Sequence, residues 1–135
     1  MRLFQSQFLV GVTGVILNDK NEVLLFKHTY RKQSWSLPGG YLKAGEHPAE
    51  ALEREIREES HLIVSVDEML KTRTDRDGSR LDMCFVGVFI GGEFTPSSEV
   101  SKYGFFSKDT MPLLRSNQVF LIEEALQQKR LKDKK

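Results

Sequence analysis

The stretch from Pro48 to Ser60, "PAEALEREIREES", narrows most sharply what this chain can fold into. It is rich in Ala, Leu, Glu and Arg, with no internal Gly or Pro, which predicts a helix. Pro48 suits the first helical position, Glu50 falls at the third, and His47 becomes the cap residue, a weaker cap than Ser or Asp. With Leu52 at zero on a helical wheel, Ala49 and Ile56 fall at about +60° and +40° and define a core-facing stripe. Glu59 falls at about −20°, inside that stripe, with Glu55 at about −60° and Glu58 at about −120°. A carboxylate pressed against an apolar face is costly unless something positive meets it. Arg54 and Arg57 project to about 200° and 140°, so they are poorly placed to neutralise Glu55 and Glu59 together. A divalent cation answers better: Mg²⁺ takes oxygen ligands, one or two carboxylates from protein and the rest from water or substrate phosphates. On composition alone such a run also reads as a solvated charged face, and the spacing around the helix has to decide.

The rest of the chain supplies strands. "FLVGVTGVIL" (Phe8 to Leu17) is apolar on both alternating faces, as in a strand covered on both sides. The turn "NDKN" leads to "EVLLFKH", a hairpin pattern. Thr29 to Gly40 reads as a loop. "LIVSVDEMLKTRT" and "RLDMCFVGVFI" form a second predicted hairpin about "DRDGS". "GGEFTPSSE" reads as loop, "KYGFFS" as a short strand, and "NQVFLIEEALQQKR" as a final helix capped by Asn117, with Val119, Ile122 and Leu126 on one stripe. Interleaved strands and helices predict an α/β or α+β sandwich, one mixed sheet with helices on its faces.

A length of 135 residues suits one domain, here residues 1–135. Hydrophobic content of 39% and charged content of 29% exclude disordered, collagen-like and disulfide-rich classes. No run approaches a membrane span and Met1 to Val10 lacks the apolar core of a secretory signal, so a cytoplasmic protein with no membrane partner is expected. Cys84, the one cysteine, sits in an apolar strand and reads as a small buried hydrophobe. A formal net charge of +1 gives no reason to expect nucleic acid as partner. The basic tail "KRLKDKK" reads as a solvated helix end.

Gly40, Glu46 and "REIREESHL" from Arg54 to Leu62 resemble the Nudix box, G-x5-E-x7-R-E-U-x-E-E-x-G-U, where U is a bulky aliphatic residue. Gly40, Glu46, Arg54, Glu55, Ile56, Glu58, Glu59 and Leu62 occupy their pattern positions; His61 stands where the family has glycine. "WSLPGG" ahead of the box agrees as well. The resemblance implies a Nudix-type α/β/α sandwich, a mixed central sheet flanked by helices, and hydrolysis of a nucleoside diphosphate linked to another moiety. It implies that Glu55, Glu58 and Glu59 hold Mg²⁺ or Mn²⁺ with help from the Gly40 carbonyl, and that Arg54 and Glu46 orient helix and loop. It offers Glu55 as the water-activating base, or Glu99 from outside the box. His61 is expected at positive φ, where a non-glycine residue costs about 1 kcal/mol.

Substrate recognition must come from outside the box. Trp35, with Tyr30, Arg31 and Lys32, precedes "SLPGG", where an aromatic ring could stack on a base and cations could meet phosphate. Signatures that ADP-ribose-cleaving and diadenosine-polyphosphate-cleaving relatives often carry past the box are absent, which favours a MutT-like nucleoside triphosphate or oxidised-nucleotide pyrophosphohydrolase. ADP-ribose or another nucleotide sugar is the alternative. RNA 5′-end hydrolysis is another, hinted at only by Arg73, Arg76, Arg80 and the tail, and a non-catalytic nucleotide-binding regulatory module is the last. The resemblance also allows a homodimer.

Overall fold

The computed structural model describes residues 8–30, 35–74 and 79–134. Its central strand, β1 (Leu9–Leu17), is buried from Gly11 onward. Side-chain alternation along it sorts the core into two layers. Val12 and Ile16 point to one face of the sheet and Val15 and Leu17 to the other, and β2 (Val23–His28) repeats the division with Leu24 and Phe26 against Val23 and Leu25.

Helix α1 (Pro48–Ser60) covers the first face with Ala51, Leu52 and Ile56, all fully buried. Gly14 makes room for this: a Cβ there would lie 2.6 Å from Leu52 Cδ2. The second face is covered by α2 (Ser116–Asp133) through Leu121, Ile122 and Ala125, with Cys84 buried in the same layer. The expected mixed sheet between helices is therefore present.

The sheet runs in the order β3 (Trp35–Ser36), β2, β1, β6 (Arg80–Gly91) and β5 (Ile63–Thr74), with β7 (Val100–Phe106) on β2 and β4 (Gly39–Tyr41) on β1. β1 and β6 are parallel and the other pairs antiparallel. On one edge β1 meets β2 at Leu17 and β4 at Gly11–Thr13, so this edge forks. The first hairpin turn is tied by Asn18, whose Oδ1 accepts from the Lys20 and Glu22 amides. The turn "DRDGS" falls largely outside the described residues.

Four expectations need correction. Thr29–Gly40, read as loop, contains β3 and the start of β4; strands of two or three residues are too short to show alternation, and their partners are distant in sequence. Helix α2 starts at Ser116 with Arg115 as N-cap and no side-chain cap bond, so Asn117 lies inside the helix and does not cap it. Its buried stripe is Leu121, Ile122 and Ala125 rather than Val119, Ile122 and Leu126; Val119 is 37% exposed. Val119, Ile122 and Leu126 also satisfy helical spacing, and the packing of the sheet face selects the neighbouring stripe. Strand β7 begins two residues earlier than "KYGFFS" suggests, because Val100 is pulled fully into the first layer. No helix among the described residues is long and apolar enough to cross a membrane.

Candidate active site

The acidic helix is fixed at both ends. His47 caps it, with Nδ1 accepting from the Ala49 amide at 3.4 Å, and Pro48 opens the first turn. His61 closes it in the left-handed region, φ 65°, where its N–H donates to the Arg57 carbonyl at 2.8 Å. The conformation expected at that position is adopted although glycine is missing.

Arg54 organises the acids. Its Nε donates to Glu46 Oε2 at 2.6 Å, its NH1 to Glu55 Oε1 and Glu58 Oε1 at 2.6 Å each, and its NH2 to the Tyr41 carbonyl at 3.1 Å. Arg54 thus reaches Glu55 although its Cβ direction on the helical wheel faces away, which corrects the expectation from sequence. A long guanidinium side chain folds back along the helix surface and reaches carboxylates that its Cβ direction does not face. Only 14% of the Arg54 side chain is exposed, and its pKa is raised, first by Glu46. The same bond holds the Glu46 carboxyl below the usual range. Glu46 also accepts from the Lys43 amide, which ties the loop before α1 to the helix.

Glu59 is left out of this network. Its Oε2 is buried without a hydrogen-bond partner. Burial first, then the charges of Glu55 and Glu99, push its pKa up to about 8. Glu55, Glu59 and Glu99 line one cavity of about 450 Å³, together with Gly40 and Trp35. Gly40 lies flush against the acids: a Cβ there would fall 1.9 Å from Glu55 Oε2. Glu99 is exposed to solvent, yet it stands close enough to raise Glu59. Glu58 is not among the residues that line the cavity; its side chain is 49% exposed and held by Arg54. Arg31 and Lys32 lie outside the described residues.

The cavity also contains residues that sequence reasoning missed or placed elsewhere. Asp82 is 6% exposed on its floor, accepting from the Thr13 hydroxyl at 3.1 and 3.2 Å, from Arg73 Nε at 3.2 Å, and pairing with Arg80 at 3.5 Å. Arg80 lies over the Tyr41 ring, 5.3 Å from its centroid. Arg115, Asn117 and Gln118 close the wall from α2. One signal was readable: an aspartate in the middle of "RLDMCFVGVFI" is out of place unless something buried needs it. Trp35 stands edge-on to Phe106 at 5.1 Å, so packing fixes the ring where it lines the cavity.

Among the described residues no three acidic, His or Cys side chains form a ready cation cage. The donor set nevertheless suits a hard dication. It is all oxygen, and it holds one orphaned carboxylate atom in a cluster of like charges, where Mg²⁺ or Mn²⁺ with retained waters would remove the repulsion. A closed all-protein cage is not required, since Mg²⁺ usually shares its shell with water and phosphate.

Comparison with known proteins agrees with this geometry. The NUDIX domain family model matches residues 7–128. The chain is 33% identical to an ADP-ribose pyrophosphatase of Methanocaldococcus jannaschii over 89% of its own length and 74% of that protein. It is 30% identical to the 8-oxo-dGDP phosphatase NUDT18 of Mus musculus over 84% of its length, but spans only 37% of that longer protein. Its fold superposes on a NUDIX hydrolase from Nitrosomonas europaea with a TM-score of 0.79 at 22% identity, covering 92% of this chain and 75% of the other. The box, the sandwich that carries it and these likenesses together establish that the chain belongs to the NUDIX domain family of hydrolases.

Proposed function

We propose that the protein is a cytoplasmic enzyme that hydrolyses the phosphoric anhydride bond of a nucleoside diphosphate linked to a further group. The observation that carries this reading is the buried, partnerless Glu59 oxygen among Glu55 and Glu99, on the wall of a cavity large enough for a nucleotide. Glu55, Glu58, Glu59 and the Gly40 carbonyl are the groups that would hold Mg²⁺ or Mn²⁺. When bound, the cation supplies charge neutralisation at the diphosphate and a lowered pKa for water.

The chain's own residues do the rest. Arg54 fixes Glu55 and Glu58 from behind, so their carboxylates keep one orientation as substrate enters. Water attacks phosphorus, the bond to the bridging oxygen breaks, and the water proton passes to a carboxylate. Glu99 suits that acceptor role better than Glu55. It is not held by the Arg54 guanidinium, whereas Glu55 Oε1 is already occupied by a charge-assisted bond of 2.6 Å. Trp35 stands on the cavity wall where a base or ribose would rest.

The first choice of substrate is a nucleoside triphosphate or an oxidised nucleotide, supported by similarity to a protein named for 8-oxo-dGDP. ADP-ribose is the second reading, favoured by the similarity to a protein named ADP-ribose pyrophosphatase over most of the chain. A product assay with Mg²⁺ over nucleoside triphosphates, 8-oxo-dGDP and ADP-ribose tests the proposal. Cleavage of at least one, abolished by EDTA, is expected; no cleavage of any refutes it.

A further inference from the structure

The cavity lining also carries chemistry that the hydrolytic step does not use. Asp82 is buried, and both oxygens of its carboxylate are engaged. Oδ1 meets Thr13 and Arg80, while Oδ2 meets Thr13, Arg73 and, at 3.6 Å, the Cys84 thiol. The acceptor capacity of Asp82 is thus largely spent within the protein. The carboxylate anchors two guanidiniums that line the cavity. Arg73 is held at a second point, NH1 donating to the Asn117 carbonyl at 3.2 Å, and Arg80 is held on its other side by the Tyr41 ring. Gly11 keeps this arrangement open: a Cβ there would lie 2.8 Å from Arg80 NH2 and 3.0 Å from Asp82 Oδ1. Gln118 spends its side-chain oxygen on the Leu37 amide at 3.0 Å, which leaves its amide N–H groups as the remaining function.

Where Arg73 and Arg80 line the cavity the wall is thus rich in donors, and the carboxylate between them is already engaged. A guanidinium offers donors only. Guanine presents two acceptors, O6 and N7, on a single edge, whereas adenine places an amino donor beside N7. Adenine set against the two guanidiniums would face donor to donor and leave both unsatisfied, which is the arrangement that discriminates most strongly between bases. One carboxylate shared by two arginines leaves a net positive wall, and the Tyr41 and Trp35 rings beside it suit a flat base.

We infer that Arg73 and Arg80, seated on the buried Asp82, form a base-reading subsite that selects a 6-oxopurine over adenine. This rests on the cavity being a nucleotide site and goes further by naming the residues that read the base. Arg80 is the specificity residue, with Asp82 and Gly11 as its positioning residues.

Binding of GMP and AMP, by calorimetry on the full chain, tests the subsite without catalysis. GMP should bind at least about fivefold more tightly than AMP, the lower end of what one bidentate base contact provides. Arg80→Met keeps the aliphatic stem on Tyr41 but removes the donors, and should bring the two affinities together by weakening GMP. Gly11→Ala leaves every functional group present, displaces Arg80 from Asp82, and should lower the ratio in the same direction. Equal binding of GMP and AMP by the wild type overturns the inference, as does a ratio unmoved in both variants. A loss equal for both nucleotides overturns it too, because the arginines would then be reading phosphate. GMP preference without turnover of any nucleotide would sink the hydrolase reading and leave this one standing. Turnover with no base preference would do the reverse.

Discussion

Mg²⁺ affinity should depend on pH through Glu59. Burial and the charges of Glu55 and Glu99 hold this carboxyl near pKa 8 in the metal-free protein. By the titration relation it is then about one-tenth ionised at pH 7 and about nine-tenths at pH 9. A cation binds the ionised form, so apparent affinity should rise about tenfold across that interval and flatten above it. Binding at pH 7 should release about 0.9 proton, because nearly every site starts protonated. Stability follows the same linkage with the opposite sign. A carboxyl whose folded pKa lies above its unfolded value of 4.5 gives a folded state that binds more protons between the two values. The metal-free protein should therefore lose stability as pH rises from about 4.5 to about 8 and change little beyond. Titration calorimetry in two buffers of different ionisation enthalpy measures affinity and proton release together. Glu59→Gln should bind Mg²⁺ more weakly, with no slope between pH 7 and 9. A flat affinity in the wild type with no proton released, or a variant that keeps the wild-type slope, would refute the assignment.

Other consequences follow from packing and backbone. Gly40→Ala would place a methyl 1.9 Å from Glu55 Oε2 and force that carboxylate aside, so Mg²⁺-dependent turnover should fall at least about tenfold while thermal stability shifts by about 1 kcal/mol or less. Near-normal turnover would mean that the Glu55 position is unimportant. Leu52→Ala removes a fully buried side chain between α1 and β1 and should destabilise by about 2–5 kcal/mol in urea unfolding, with Mg²⁺ affinity reduced because α1 carries the acids. His61→Gly relieves a left-handed residue at the helix end and should stabilise by up to about 1 kcal/mol, with activity unchanged. A destabilised variant would show that the His61 side chain makes a contact of its own.

The helix and its caps were legible because one short segment contains the whole signal: Pro48, the apolar stripe through Leu52 and Ile56, and the box spacing all lie within local reach. The two-sided core was legible from the unbroken apolar run of β1. What stayed hidden is non-local. β3 and β4 are defined by partners on β2 and β1 rather than by their own residues. The division of labour among the acids depends on where the flexible Arg54 side chain goes, and a wheel that tracks Cβ directions cannot follow it. Glu99 joins Glu59 only because β7 pairs with β2 and brings its leading loop to the end of α1. Asp82, Arg73 and Arg80 converge because β5 and β6 pair with Arg73 opposite Asp82, a register fixed by pairing and not by either strand alone.

In the proposed reaction the acids of α1, completed by a dication, cleave a nucleotide diphosphate bond. Single-turnover hydrolysis in ¹⁸O-water, with Mg²⁺ and the best substrate of the nucleotide panel, tests this when wild type and Glu59→Gln are run side by side. One ¹⁸O should appear in a phosphate product of the wild type, the rate should vanish with EDTA, and the folded variant should be slower by at least about a hundredfold. Label incorporation at an undiminished rate in the variant, or in the wild type with the metal removed, would contradict it.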